Sequence, residues 1–142
     1  TSKTRLDRAK TEALVEGAFG RKLKPDWWDK LDIHQIYMSE KYRAGAVLTR
    51  IDDFIYLDKF AVVEEARGEG LSRTVWRQFT KQNPVFYWRS RTVNGFNAFY
   101  NEACTGSVKK GPWTVFWIGE TDLAKIAPKV ERIAALEASF TS

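Results

Sequence analysis

Apolar positions along this chain change their spacing several times, and each change marks an element. Between residues 1 and 20, Leu6, Ala9, Ala13 and Leu14 fall on one helical face, with a Ser/Thr-rich start and Gly20 at the end. That pattern predicts a capped amphipathic helix. In residues 20–31, Pro25 opens a short helical turn and Trp27, Trp28 and Leu31 supply apolar mass. Residues 33–38 and 44–49 predict a pair of antiparallel strands, and residues 50–53 turn the chain into a third strand, the apolar and aromatic run 54–63. After a charged turn and two glycines, Leu71, Val75 and Phe79 recur at spacings of four, while Arg73, Arg77 and Lys81 fall on other faces. This is strand, glycine turn, helix, with the helix starting close to Gly70.

Asn83-Pro84 ends that helix, and residues 85–91 begin a further strand. Residues 93–104 read as a turn into a short helix carrying Phe96, Phe99 and Tyr100. Residues 107–119 hold a Gly-Pro turn and one strand, in which Trp113, Val115 and Trp117 alternate with Thr114, Phe116 and Ile118. In residues 122–140 Leu123, Ile126, Val130, Ile133 and Leu136 return to helical spacing, and Pro128 is expected to kink or divide that helix. No repeat, low-complexity tract or linker interrupts the chain, so residues 1–142 read as one domain.

Composition narrows the partners. At 142 residues with 44% hydrophobic content the chain can bury a core, and a net charge of +5 favours anionic partners: a phosphorylated cofactor, an acidic substrate, nucleic acid or an acidic surface. A single cysteine, Cys104, excludes an internal disulfide, and with His34 the sole histidine no Cys/His metal site can be assembled. Both residues read as packing. No apolar run approaches the ~20 residues of a membrane-spanning helix, and no signal peptide opens the sequence. A soluble protein of a reducing compartment is expected. The start at Thr1 fits a processed form or a piece of a longer chain.

The strand–turn–helix gathers unpaired backbone N–H groups and the positive end of a helix dipole at one spot, where phosphate binds well. Gly68 and Gly70 let the backbone approach an anion, and Arg67 and Arg73 add charge. An ordinary strand-to-helix turn with solvated arginines has the same composition, and the residues alone leave both readings open. The turn is neither a P-loop nor a dinucleotide fingerprint. Strand alternation puts Arg89 and Arg91 on one face with Ser90 opposite, and two adjacent arginines are expensive to bury unless an anion meets them. Arg21, Lys22 and Lys24 form a basic cluster that reads as a solvated face. A nucleic-acid-binding module is the competing class, with FYWRSR as a base-stacking platform. Against it, acidic residues separate the basic ones and the aromatics alternate as core residues do.

Arg67-x-x-Gly70-x-Ser72 resembles the turn with which the GNAT acyltransferase superfamily holds the pyrophosphate of coenzyme A, Ser72 standing where Gly or Ala is usual. YLDKFAVV (56–63), GEGL (68–71), FYWRSR (86–91) followed by Asn94, FNAFY ending at Tyr100, and WTVFWIG (113–119) occur in order. Their sum resembles the acetyltransferase domain of the vertebrate-like N-acetylglutamate synthases, including bacterial bifunctional synthase/kinases. The similarity extends to FGRKL and IYMSEKYRAGAVLT upstream.

The resemblance implies acetyl transfer from acetyl-CoA to the α-amino group of L-glutamate, without metal. It implies an α+β, three-layer fold: a mixed, mostly antiparallel sheet with helices on both faces, splayed where acetyl-CoA enters. An amino-acid kinase domain would precede this one, the parent would form a homo-oligomer, and neither nucleic acid nor membrane would be a partner. The location would be cytoplasmic in a bacterium and the mitochondrial matrix in a eukaryote. For the cofactor, the resemblance implies Phe60, Ala61 and Val62 beside the acetyl group and Arg67, Gly68, Glu69, Gly70, Leu71, Ser72 and Arg73 around the pyrophosphate. For glutamate it implies Lys59, Arg89, Arg91 and Asn94, with Arg21 and Lys22 as a looser match. Tyr100 matches the acid for the departing thiolate, and Tyr56 or Asn94, holding a water, is left for the base. Gly95 and Asn97-Ala98 depart from the proline-bearing pattern of this loop. A catalytically inactive CoA-binding domain would have lost these residues, which are all present.

Overall fold

Burial sorts helix faces by apolar area, and the first helix shows it. In the computed structural model, which describes residues 7–67 and 70–141, α1 spans Arg8–Phe19. Asp7 caps its start by accepting from Lys10 N, and Gly20, at φ 65°, closes it through Glu16 O. Its buried residues are Thr11, Leu14 and Val15, whereas Ala9 and Ala13 are exposed. The packed face is therefore rotated from the expected one, because Val15 removes more apolar surface from water than an alanine does. Leu6, Gly68 and Glu69 lie outside the described residues.

The described chain falls into two units, one running to Asn83 and resuming at Ala138, the other Pro84–Glu137. In the first, β1 (Ile33–Met38), β2 (Ala44–Ile51) and β3 (Phe54–Val62) form an antiparallel meander. Asp52, at φ 52°, turns β2 into β3. A 3-10 turn (Glu64–Ala66) then leads to α2 (Leu71–Gln82), whose N-cap is Gly70. On one sheet face α1 and the tryptophan-bearing turn enclose Leu14, Val15, Trp27, Trp28, Val47 and Ala61. On the other, α2 lays Trp76 and Phe79 against Phe60, with ring centroids 5.3 and 5.9 Å from it.

In the second unit β4 (Phe86–Arg91), α3 (Asn97–Ala103), β5 (Gly106–Lys110), β6 (Trp113–Ile118) and α4 (Leu123–Ala134) follow in order. The strands run in the order β4-β6-β5, all antiparallel. β5 was not expected from the sequence: it pairs with β6 across the Gly111-Pro112 turn, and its Ser107, Val108 and Lys109 are exposed. Pro128 lies inside α4 without dividing it, and Ile126, Val130 and Ile133 stay buried on both sides of it. Packing of that apolar stripe outweighs the backbone hydrogen bond a proline removes. On the opposite face Trp88 stacks on Phe116 at 5.2 Å. Six strands and four α-helices among the described residues give the α+β class. Among the described residues no helix is long and apolar enough to cross a membrane, and no cluster of His, Cys, Asp and Glu is suited to a metal.

Candidate functional site

In the first unit the turn after β3 offers donors to an anion. Gly70 has φ 78°, makes no side-chain cap, and opens a first turn that contains no acidic residue. The N–H groups of Leu71, Ser72 and Arg73 are those that a helix leaves without an internal partner. Leu71 and Ser72 are half-buried and Arg73 is exposed. Arg67 donates from Nε to Val62 O at 3.3 Å and from Nη2 to Ala18 O at 3.0 Å. It ties the end of β3 to the end of α1. Phe60, Ala61 and Val62 are buried and pair with Ala46, Gly45 and Ala44 of β2.

A β-bulge shapes the middle of β3. Val47 faces Lys59 while the next residue, Leu48, faces Leu57, so Asp58 is the extra residue. Regular alternation would send Asp58 and Lys59 to opposite faces; the bulge lets them meet in an ion pair at 3.1 Å, with side chains 15% and 10% exposed. Lys59 Nζ also donates to Asp58 O at 3.0 Å and to Ser139 Oγ at 2.8 Å, filling the three donors of an ammonium. Trp27 Nε1 donates to the same Asp58 carboxylate at 2.9 Å. The Phe140 ring lies 5.4 Å from Lys59 Nζ and 5.8 Å from the Arg21 guanidinium. Thr141 N donates to Lys22 O, leaving the Lys22 side chain exposed. Lys59 and Arg21 thus meet at Phe140, and Lys59 already has its counter-ion. Tyr56 is buried opposite Thr49, whose hydroxyl donates to Tyr56 O.

In the second unit Tyr100 projects from α3 into an aromatic cage. Trp88 and Phe116 lie 5.4 Å from its ring and Phe96 5.6 Å. Burial pushes the phenol well above the ordinary tyrosine range. Burial thereby favours the neutral, protonated phenol.

Arg89 and Arg91 share a face of β4, as alternation required, and both guanidinium groups lie over the Trp113 ring, at 3.8 and 4.7 Å. Their hydrogen bonding separates them. Arg89 donates to Ile133 O and Leu136 O at 3.0 Å and to Glu137 O at 3.2 Å, capping the C-terminal end of α4. Those carbonyls take three of the five N–H donors of the guanidinium expected to bind substrate. Arg91 has no hydrogen bond or ion pair from its side chain among the described residues, and its buried Nε has no acceptor. Arg89→Ala is accordingly expected to lower unfolding free energy by about 1–3 kcal/mol, since it strips three carbonyls of their donor. Urea denaturation checks this, and an unchanged midpoint would remove the capping role.

Asn94 closes the loop after β4: its Oδ1 accepts from Phe96 N at 2.8 Å and its N–H donates to Arg91 O at 2.9 Å. Only its amide NH2 is left for a ligand. Asn97, noted in the sequence only as part of a departure in this loop and not as a site residue, donates from Nδ2 to Arg91 O at 2.9 Å and Thr92 O at 3.1 Å. Two asparagine side chains therefore fix this loop. Phe86, Tyr87 and Trp88 are fully buried, so FYWRSR offers no platform for stacking bases. His34 is bonded to Asn83 in the first unit, and Cys104 is a half-buried thiol whose pKa burial raises. Both are packing residues.

The family model for the N-acetyltransferase (NAT) of N-acetylglutamate synthase matches residues 1–135. A protein named acetylglutamate kinase from Xanthomonas campestris pv. campestris is 40% identical over 131 residues, covering 89% of this chain and 31% of that one. The mitochondrial N-acetylglutamate synthase of Homo sapiens is 33% identical over 141 residues, covering 96% and 26%. The chain thus spans between a quarter and a third of the curated relatives it matches. A solved GNAT-family protein from Bacteroides thetaiotaomicron superposes with a TM-score of 0.59 over 75% of this chain and 73% of that one, at 13% identity. It shows the fold alone, and the fold is the one the resemblance implied.

Proposed function

Because the chain belongs to the N-acetyltransferase family of N-acetylglutamate synthase, we propose that it moves the acetyl group of acetyl-CoA to the α-amino group of L-glutamate, giving N-acetyl-L-glutamate and CoA. The single observation that carries the dicarboxylate is Arg91, a half-buried guanidinium with no anion among the described residues. Residues 1–142 act in this reading as one acetyltransferase domain, joined in the parent chain to an amino-acid kinase domain and assembled as a homo-oligomer.

The turn at Gly70 fits a pyrophosphate, because among the described residues its first-turn N–H groups have no side-chain cap and the first turn itself contains no acidic residue. Leu71, Ser72 and Arg73 supply donors and charge there, and Gly68 and Glu69, which the resemblance assigns to the same site, lie outside the described residues. Acetyl-CoA supplies an acetyl group activated as a thioester. Backbone N–H groups in the Phe60–Val62 stretch receive the charge that gathers on the acyl oxygen. Arg91 binds a carboxylate through its fork, and the Asn94 NH2 donates to the same substrate. Lys59, Arg21 and Lys22 contribute positive potential, Lys59 taking a direct contact only if the Ser139 hydroxyl yields it. The deprotonated amine attacks the acyl carbon, a C–N bond replaces the C–S bond, and Tyr100 gives its proton to the departing sulfur. Tyr56 or Asn94 holds the water that removes the amine proton.

Thiol release from acetyl-CoA with L-glutamate tests the reading. Saturable release with L-glutamate is expected, and little with L-glutamine, which lacks the second carboxylate. Equal rates with both, or none with glutamate, would end it.

A further inference from the structure

We propose that Trp113 is a positioning residue that presents the Arg91 guanidinium to a substrate carboxylate, while Arg89, over the same ring, caps α4. The carboxylate as ligand rests on the function proposed above; the division of labour rests on the side chains themselves. In the β4–β6 register Arg91 faces Trp113 directly, and Arg89, two residues back on the same face, reaches the same indole diagonally. Two cations over one ring repel each other unless each finds negative charge. Arg89 finds it in the Ile133, Leu136 and Glu137 carbonyls at the negative end of a helix dipole. Arg91 finds none among the described residues, and a buried guanidinium N–H without an acceptor is costly enough that such groups are rare.

What holds Arg91 is the ring. Tryptophan is the strongest aromatic partner for a cation, and a guanidinium stacked by its face keeps its N–H edge for a planar, bidentate carboxylate. Without the indole, the long Arg91 side chain would have to be ordered by the substrate at the moment of binding, and affinity would fall by that cost.

The test is a double-mutant cycle on the 142-residue chain with Trp113→Leu, Arg91→Ala and the pair, with Trp113→Phe as the milder variant. Trp113→Leu is expected to raise the glutamate KM roughly threefold to thirtyfold, the equivalent of a cation–π contact, with a smaller change in kcat and in the acetyl-CoA KM. Trp113→Phe should recover most of the loss. In the Arg91→Ala background Trp113→Leu should add almost nothing, because the group it positions is gone. Additive effects on the glutamate KM, or equal effects on both substrates, would overturn the proposal. If the unaltered chain shows no glutamate-dependent thiol release, the proposed function fails by itself. The same four proteins then decide the positioning by urea unfolding: coupling between the two sites upholds it, and additivity overturns it.

Discussion

Tyr100→Phe is expected to lower turnover by roughly tenfold to a thousandfold, the loss associated with removing a general acid, while acetyl-CoA binding stays nearly unchanged. Phenylalanine fills the same space between Trp88 and Phe116, so the aromatic cage survives and the effect isolates the hydroxyl. The pH dependence follows from the direction of the Tyr100 shift. Its pKa is raised by burial, so the folded protein keeps the proton at alkaline pH while the unfolded chain releases it at the ordinary tyrosine value. Above that value the unfolded state binds fewer protons, and stability falls as pH rises. The wild-type chain should therefore lose stability in the alkaline range in a way that Tyr100→Phe does not. Below that range no fall in turnover should trace to Tyr100. Turnover unaltered across pH in the Phe variant would show that the thiolate leaves without it.

Period and punctuation gave away much of this fold, and the failures have physical causes. α2 was legible because Val75 and Phe79 repeat on one face after Gly70, and β4 because Asn83-Pro84 stops a helix before an aromatic run. β5 was not, because an edge strand keeps polar side chains such as Ser107 and Lys109 in water and shows no apolar alternation. The bulge at Asp58 was invisible for another reason: a period of two assumes regular pairing, and the one extra residue that joins Asp58 to Lys59 depends on the partner strand. The face of α1 was misplaced because alanines were counted as equal to larger apolar residues. In the candidate site, alternation put Arg89 and Arg91 side by side, but which of them has acceptors depends on carbonyls more than forty residues away, at and just beyond the end of α4. Trp113 carried no signal of its own, since its tie to Arg91 exists only in the β4–β6 register. Asn94 was singled out by resemblance, and the loop-closing work of its carbonyl oxygen and of Asn97 emerged only from their hydrogen bonds.

Arg91→Ala is expected to weaken glutamate binding by about 1.5–3 kcal/mol, roughly tenfold to a hundredfold, because it removes a charge-assisted pair with a carboxylate. The loss should appear in glutamate saturation and leave acetyl-CoA saturation nearly intact. Lysine at this position should rescue only part of it: the charge returns, but the planar fork that stacks on Trp113 does not. Arg89→Ala, one turn of the pleat away, should show the reverse pattern, a lowered unfolding midpoint with a smaller change in glutamate saturation, because its donors serve α4. The unfolding cost of Arg91→Ala should be smaller still, since its Nε has no acceptor to lose. A salt-titrated oligonucleotide measurement on the same variants addresses the remaining class of partner. If the basic strand served nucleic acid, Arg91→Ala would flatten the salt dependence of that binding and leave glutamate saturation untouched. Glutamate saturation unchanged in both Arg91→Ala and Arg91→Lys would remove this arginine from the substrate site and, with it, the observation on which the dicarboxylate assignment stands.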